Sequence, residues 1–211
     1  MKNSNYQLDK LTEEQVPSDF LNSIDSMSRN PIPVIYQSGY LTIKGYNEEF
    51  DIYRLGFPNK EVENGFIKYL IPFYTPIEEE KTGFFITNFI MDIRRGAPES
   101  FMQRMQSMFA DTDYKITGKM ELYFQNAMYL VFKMLGFYTD VERTTSNGRI
   151  DIVLKTKDYI YVMELKLDGS ADDALRQIEE KGYALPFAKD PRKLYKIGVN
   201  FSSETRGIEE W

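Results

Sequence analysis

The 211-residue chain contains no cysteine and no histidine. Without cysteine there is no disulfide framework and no thiolate zinc site, so the expected compartment is a reducing cytoplasm. Without histidine, imidazole-dependent triads, most zinc hydrolases and the histidine-based nucleases are excluded. Any hydrolytic chemistry must therefore come from carboxylates, amines and a bound metal ion.

The chain also lacks a long apolar run and a signal-peptide pattern at its N-terminus. The run AMYLVF at 127–132 is far too short to cross a bilayer, so we expect no membrane partner. A content of 42% hydrophobic and 15% aromatic residues is sufficient for a core. These features predict a globular protein.

An excess of positive charge is missing as well, because the formal net charge is −6. From residue 118 onward there are 14 Lys and Arg against 15 Asp and Glu, and before it 12 against 17. Neither half resembles a free-standing, high-affinity binder of polyphosphate. Weaker binding of nucleic acid remains an open alternative if the lysines cluster in space.

Composition changes divide the chain into three regions. Residues 1–30 are polar and predict a tail or arm, with one short helix around SDFLNSI capped by Ser18. Residues 31–80 predict a small winged-helix-like linker unit, in which YLTIKGY and FDIYRLGF form a hairpin and Asn59 caps the following helix. Residues 81–211 form the remaining domain.

Within that domain the patterns predict two amphipathic helices between Thr82 and Phe109, broken at RRGAP, and a buried helix ending at Gly136. A strand hairpin follows, then a helix that starts with a Ser170–Asp173 capping pair and stops at Pro186. From residue 118 the predicted order is helix, strand, strand, helix and, at KLYKIGVNF, a further strand.

The hairpin GRIDIVLKTKDYIYVMELKLDG, residues 148–169, is apolar except that Asp151, Glu164 and Lys166 interrupt it. A turn at 155–158 pairs residues whose numbers sum to 313, so Asp151 faces Val162 and lies diagonally from Glu164 on one face. Two converging carboxylates suit a hard cation such as Mg²⁺ or Mn²⁺. Lys166 shares that face and could orient a water molecule and stabilise negative charge.

The spacing E-x-K is weak by itself, because it recurs at Glu79–Lys81 and Glu179–Lys181 in polar segments that predict surface charge. The segment YVMELKL instead embeds its charges in an apolar strand, which favours a functional site. Two alternatives remain: a structural buried ion pair, and an edge strand with protective charges.

Two helical residues could complete the site. Glu121 lies in the first turn of an otherwise apolar helix, where it could be a further metal ligand or an acid favoured by the helix N-terminus. Gln177, on the helix after the acidic strand, could bond a phosphate or a water molecule, or could be a solvated side chain.

Asp151 with Glu164, Leu165 and Lys166 resembles the motif of the PD-(D/E)xK nuclease superfamily. The segments GRIDIV, YVMELKLDGSADDALRQIEEKGYALPF and GVNF resemble more narrowly the nuclease-like C-terminal domain of proteins whose N-terminal half is an AAA-type ATPase-like domain. The segments YQSGYLTIKGY and YRLGFPNKEV resemble the part that joins those two domains.

This resemblance implies an α/β fold with a mixed sheet, a restriction-endonuclease-like core αβββαβ in residues 81–211, and a small N-terminal helix and hairpin subdomain. It implies an Mg²⁺- or Mn²⁺-dependent nuclease acting on nucleic acid, with DNA favoured over RNA. The implied metal ligands are Glu121, Asp151 and Glu164, and the implied catalytic set is Asp151, Glu164, Lys166 and Gln177. A G-x-x-x-x-G-K-[ST] motif is absent, so the ATPase-like domain is an expected partner missing from this chain.

Two other functions remain open on the sequence. One is a non-catalytic module that keeps the nuclease fold to bind a partner or its own ATPase-like domain. The other is a winged-helix-like DNA reader in residues 31–75, although that stretch lacks a basic recognition helix. The oligomeric state is not fixed by the sequence.

Overall fold

A computed structural model describes residues 6–12, 14–21, 30–110, 120–136, 140–146 and 149–211. The α-helices are α1 Ser18–Leu21, α2 Ile32–Gln37, α3 Lys60–Tyr74, α4 Glu79–Arg94, α5 Pro98–Ala110, α6 Met120–Gly136 and α7 Ala171–Glu180. The strands are β1 Gln15–Pro17, β2 Thr42–Asn47, β3 Ile52–Gly56, β4 Asp140–Ser146, β5 Arg149–Lys155, β6 Tyr159–Leu167, β7 Lys193–Ser202 and β8 Gly207–Glu210.

The chain divides into two compact units. Unit 1 comprises residues 1–74 and 117–130, and unit 2 comprises residues 75–116 and 131–211. The predicted functional boundaries at residues 30 and 80 stay predictions, because these units are defined by packing within the chain and not by activity.

Unit 1 is built on a three-stranded antiparallel sheet in the order β1-β3-β2. The predicted hairpin of β2 and β3 is confirmed, with Tyr46 paired to Tyr53 and their rings stacked at 4.8 Å. The predicted cap of α3 is confirmed too, because Asn59 Oδ1 accepts a hydrogen bond from the amide of Val62 at 2.9 Å.

The described part of the expected N-terminal tail packs into unit 1. A 3-10 helix at Leu8–Thr12 buries Leu8 and Leu11. The amide of Leu8 donates to Asn126 Oδ1 at 2.9 Å, and β1 pairs with β3. Ser18 begins α1, and its hydroxyl donates to Asp51 across the sheet. The segment is therefore attached by apolar burial and by specific polar bonds.

Unit 2 is built on a five-stranded sheet in the order β4-β5-β6-β7-β8. The strands β6 and β7 are parallel, and the other neighbours are antiparallel. Helix α7 connects β6 to β7, which is the crossover that a parallel pair requires. The mixed α/β class is therefore confirmed.

The predicted register of the β5–β6 hairpin was wrong by two residues. Asp151 pairs directly with Glu164, and Val153 with Val162, so paired numbers sum to 315 and not to 313. The amide of Thr156 donates to the Tyr159 carbonyl at 2.9 Å, and the Thr156 hydroxyl accepts from the Tyr159 amide at 3.0 Å. These bonds put the turn at 157–158. A shift of two preserves the alternation of faces, so residues 151 and 164 still belong to one face.

Helices α4 and α5 confirm the predicted pair, and the stripe Phe101, Met105, Met108 and Phe109 is buried core. The predicted end of α7 at Pro186 was wrong, because the helix ends at Glu180. Gly182 follows with φ +66, a left-handed conformation that glycine adopts readily and that terminates helices.

The face of the sheet carrying the odd-numbered residues of β6 is fixed to the end of α4. Tyr161 is fully buried and its hydroxyl donates to the Ile93 carbonyl at 2.7 Å. Tyr195 stacks on Tyr161 at 5.1 Å and donates to the Gly96 carbonyl at 2.9 Å. Burial raises the pKa of Tyr161 above its ordinary value, so its hydroxyl stays protonated and serves as a hydrogen-bond donor. Because these tyrosines pack against the end of α4, helix α7 packs on the opposite face of the sheet, which carries the even-numbered residues of β6.

Across the described ranges, no helix has the length and apolar character needed to span a lipid bilayer.

Candidate active site

The even-numbered residues of β6 place Glu164 and Lys166 on the face that α7 covers. Residues Ile160 and Val162 of that face form a buried cluster with Ile178 of α7. Alternation along the strand then brings Glu164 and Lys166 to the same helix, beyond the apolar cluster. The amphipathic pattern of α7 therefore sets which side chains can meet the two charged residues.

A glycine lets α7 approach the sheet closely beside Glu164. Gly198 of β7 is the neighbour of Glu164 in the parallel register. A Cβ atom at residue 198 would lie 2.2 Å from the Ala171 carbonyl oxygen and 3.0 Å from Ala174 Cβ. Because no side chain larger than hydrogen fits there, the helix axis lies low enough for Gln177 to reach the charged pair.

Glu164 and Lys166 form an ion pair in a dry environment. Lys166 Nζ lies 3.2 Å from Glu164 Oε1, and the exposed fractions of the two side chains are 18% and 0%. Ionised side chains without exposed surface are costly unless a partner compensates the charge. The lysine supplies that compensation.

Gln177 contacts the same ammonium group from α7. Lys166 Nζ donates to Gln177 Oε1, and since an ammonium can only donate, this bond fixes the orientation of the amide. Gln177 Nε2 is then left as a buried donor with no acceptor among the described residues. The amide therefore presents two N–H groups to the site, where an oxygen of a ligand would satisfy them.

The turn after β6 is fastened to β7 next to Lys166. Asp168 accepts from the amide and the hydroxyl of Ser203, both at 2.7 Å, and its own amide donates to the Phe201 carbonyl at 2.8 Å. The amide of Gly169 donates to Oδ1 of the buried Asn200, the register neighbour of Lys166, at 2.9 Å. The bonds from Ser203 lower the pKa of Asp168, which stays ionised near neutral pH.

The start of α7 is capped from two directions. Ser170 is the N-cap and its hydroxyl accepts from the Asp173 amide at 3.0 Å, as the sequence predicts. Glu210 of β8 accepts from the Ala171 amide at 2.8 Å. A carboxylate at this helix end is also favoured by the helix dipole. Both caps hold the helix that carries Gln177.

The structure therefore brings together Glu164, Lys166 and Gln177 by their side chains. Asp151 takes the strand position directly opposite Glu164. Glu121 is the second residue of α6, and this end of the helix belongs to unit 1. The side chains of Asp151 and Glu121 lie outside the described ones, so their places among the ligands stay predictions.

The donor set of the described site fits a divalent cation. Glu164 offers a buried carboxylate, and hard cations such as Mg²⁺ take oxygen ligands of this kind. Gln177 Nε2 offers a donor for an oxygen of a phosphate or of water. The described side chains alone contain no group of three or more acidic ligands around one point. A complete coordination shell for the cation would also need the predicted ligands Asp151 and Glu121 and water molecules.

Sequence reasoning missed the residues that hold Lys166 in place. Asn200 is a buried polar residue within the apolar strand KIGVNFS, which is the same signal that identified Glu164. Gly169 could not be found in this way, because its role depends on a close approach to Lys166 that appears only in three dimensions. The other two E-x-K pairs, Glu79–Lys81 and Glu179–Lys181, which we call the decoy pairs, are exposed surface charge, as predicted.

The comparisons with known proteins concern the same region. Residues 119–211 match the PD-(D/E)XK nuclease superfamily. A curated relative, described as an uncharacterized protein in the vnfD 5' region of Azotobacter chroococcum mcd 1, is 28% identical over 186 residues. That match covers 83% of this chain and 36% of the relative, so the chain spans about a third of the relative's length. No solved structure matches the chain.

The family match begins at the start of α6 and spans all five predicted site residues: Glu121, Asp151, Glu164, Lys166 and Gln177. Residues 119–211 are a PD-(D/E)XK nuclease superfamily domain.

Proposed function

We propose that this domain hydrolyses phosphodiester bonds of nucleic acid with the help of Mg²⁺, with DNA favoured over RNA. Asp151 and Glu164, with Glu121 as the further ligand that the resemblance implies, would hold the metal. One observation carries the proposal: a fully buried carboxylate, an ammonium and an unsatisfied amide donor converge on one face of the sheet. Such an arrangement is expensive to fold unless a ligand uses it.

A bound divalent ion would supply two things, a lowered pKa for water and neutralisation of phosphate charge. The residues of the chain would do the rest. Lys166 would place its positive charge beside the phosphate as negative charge develops. Gln177 would donate Nε2–H to an oxygen of the phosphate or of the attacking water, and its Oε1 would keep Lys166 aimed at the same point. The low exposure of the site would strengthen each of these interactions.

The restriction-endonuclease-like core is part of this proposal. The order α6-β4-β5-β6-α7-β7 follows the pattern αβββαβ that the resemblance implies. The two acids lie on paired antiparallel strands, and the helix carrying Gln177 crosses to a parallel strand. This order supports the assignment, which the family match makes at the level of the superfamily.

We also propose that the domain works beside an ATPase-like domain. The support is limited to the resemblance of its sequence segments and to the length of the curated relative, of which this chain spans 36%. The remaining part of that relative is long enough to contain another domain.

A cleavage assay with a matched set of variants tests the proposed activity. Wild-type protein should cleave labelled DNA or RNA oligonucleotides with Mg²⁺ and not with EDTA. The variants Asp151→Asn, Glu164→Gln and Lys166→Met should lose cleavage by at least about a hundredfold. The variant Glu179→Gln, which removes an exposed acid of the decoy pair, should cleave like wild type.

Equal cleavage by wild type and by Glu164→Gln would identify a contaminant and refute the proposed activity. Absence of cleavage together with absence of metal binding would instead favour the non-catalytic module.

A further inference from the structure

One end of the sheet in unit 2 carries a concentration of positive charge. Two short segments, 155–158 and 189–193, contain five basic residues, which we name the basic rim: Lys155, Lys157, Lys189, Arg192 and Lys193. The acids of the same segments are Asp158 and Asp190, so the rim has a formal excess of three positive charges in a chain of net charge −6. This is the clustering of lysines that the overall composition left open.

The two segments are joined by one side-chain and one backbone hydrogen bond, so the charges are held together. Arg192 Nη1 donates to the Thr156 carbonyl at 3.1 Å, and the amide of Lys193 donates to the Asp158 carbonyl at 3.1 Å. The register then pairs Lys193 with Tyr159 at the first position of both parallel strands. The rim is therefore a fixed part of the sheet end.

Within the rim, one acid is already neutralised. Arg192 donates from Nε to Asp190 Oδ1 at 2.8 Å and from Nη2 to Oδ2 at 2.7 Å. These bonds lower the pKa of Asp190 to about 2, so the pair stays ionised and internally balanced. Four lysines then stand against Asp158.

Three lysines of the rim are available to a ligand. Lys157, Lys189 and Lys193 are exposed, and no ion pair between described residues involves them. Lys193 Nζ lies 4.6 Å from the centre of the Tyr195 ring, and Lys155 Nζ lies 5.2 Å from that of Phe187. Aromatic faces restrict these ammonium groups without cancelling their charge. The contact with Tyr195 also raises the pKa of Lys193.

We infer that the basic rim binds the phosphodiester backbone of the nucleic acid whose scissile bond lies at Glu164 and Lys166. This inference rests on the proposed function for its choice of polyanion. Tyr159 at the rim and Glu164 are five residues apart on β6, a strand length of about 17 Å. Measured along the axis of a duplex, the phosphates of one strand rise by ~3.4 Å per nucleotide, so the rim would hold a flank about five nucleotides from the cleaved bond.

Two consequences follow for recognition. Lysine contacts to phosphate oxygens carry no base information, so the rim would add affinity for any sequence and would make binding salt-dependent. Substrates too short to reach the rim would bind more weakly while being cleaved at the same rate once bound.

The test measures binding in EDTA, where hydrolysis is off. A fluorescently labelled 24-base-pair DNA and its single strand are titrated with wild type, with the triple variant Lys157→Gln/Lys189→Gln/Lys193→Gln, and with the control triple Lys60→Gln/Lys68→Gln/Lys81→Gln. Each triple variant removes three positive charges, and all six positions are exposed. The two variants are therefore matched in charge and in exposure. We expect the rim triple to raise Kd at least about tenfold at 0.1 M salt and to make the slope of log K against log salt shallower by about three.

Equal affinity and equal salt slope for the two triples would overturn the inference. So would wild-type binding to phosphatidylserine vesicles or to polyglutamate that equals its binding to DNA, because the surface would then fit a membrane or an acidic protein. The outcomes for the site are separate. If the rim triple binds DNA more weakly but neither wild type nor any variant cleaves it, the proposed activity is refuted and the rim inference stands. If the rim triple binds DNA normally and cleavage depends on Glu164, the rim inference is refuted and the proposed activity stands.

Discussion

Lys166 Nζ lies 3.2 Å from Oε1 of Glu164, a carboxylate whose side chain has no exposed surface. The lysine therefore supplies the positive charge that the buried acid requires. A divalent cation at Glu164 would relieve the lysine of this task and leave its ammonium for the phosphate. Under the proposed function, metal binding and the stability of the fold would therefore be coupled at this pair.

This coupling predicts the behaviour of Lys166→Met. In EDTA the free energy of unfolding of the variant should be about 2–4 kcal/mol lower than that of wild type, because a buried carboxylate loses its partner. Saturating Mn²⁺ should raise its Tm by more than that of wild type, since the cation replaces the missing charge. Cleavage should nevertheless be lost. Thermal melts with and without Mn²⁺ measure the effect, and an equal Mn²⁺ response of the two proteins would contradict it.

The side chain of Lys166 depends on the absence of a side chain at residue 169. A Cβ atom on Gly169 would lie 3.3 Å from Lys166 Cβ and 3.6 Å from Cγ, so the lysine must move by a few tenths of an ångström. Because residue 169 does not have positive φ, Gly169→Ala should fold normally. We expect kcat to fall several-fold with KM nearly unchanged, since small displacements of a charged group weaken its effect on the transition state.

Gly83→Ala is the matched control for that variant. A Cβ atom at Gly83, within α4, would have no neighbour within 4 Å. The substitution should leave kcat unchanged and stabilise the protein by about 0.5–1 kcal/mol through helix propensity. A fall in kcat for both variants would show that the Gly169 effect does not act through Lys166.

The Asp190–Arg192 pair predicts a pH dependence of stability. The pKa of Asp190 is lowered to about 2 by its bonds to Arg192, below the value of about 3.9 in an unfolded chain. Its contribution is therefore complete above pH 4 and is lost as the pH falls towards 2. Asp190→Asn should lower the urea midpoint at pH 7, and the gap from wild type should narrow between pH 4 and 2. A gap that stays constant over this range would contradict the assignment.

The sequence predicted much of unit 2 because its signals are local. The apolar runs with isolated charges located β6, and the serine and aspartate of Ser170–Asp173 located the start of α7. The strand β4, with the sequence DVERTTS, lacks apolar alternation and was not predicted from its residues. It forms because it pairs with β5, and that pairing is a tertiary effect.

The position of the turn could not be read from the sequence either. The sequence predicted a turn at 155–158 and the structure has it at 157–158, and both positions keep residues 151 and 164 on one face. The hydroxyl of Thr156 decides between them by bonding the Tyr159 amide. The result is a closer relation of the two acids than predicted, since Asp151 is directly opposite Glu164 and not diagonal to it.

The proposed function requires that Asp151 and Glu164, paired across two strands, bind a divalent cation together. Calorimetric titration of metal-free protein with Mn²⁺ tests it most directly, using wild type, Glu164→Gln, Asp151→Asn and the surface control Glu179→Gln. We expect a saturable site in wild type and in Glu179→Gln that is lost in both of the other variants. Identical titrations for all four proteins, or no heat of binding in wild type, would contradict it.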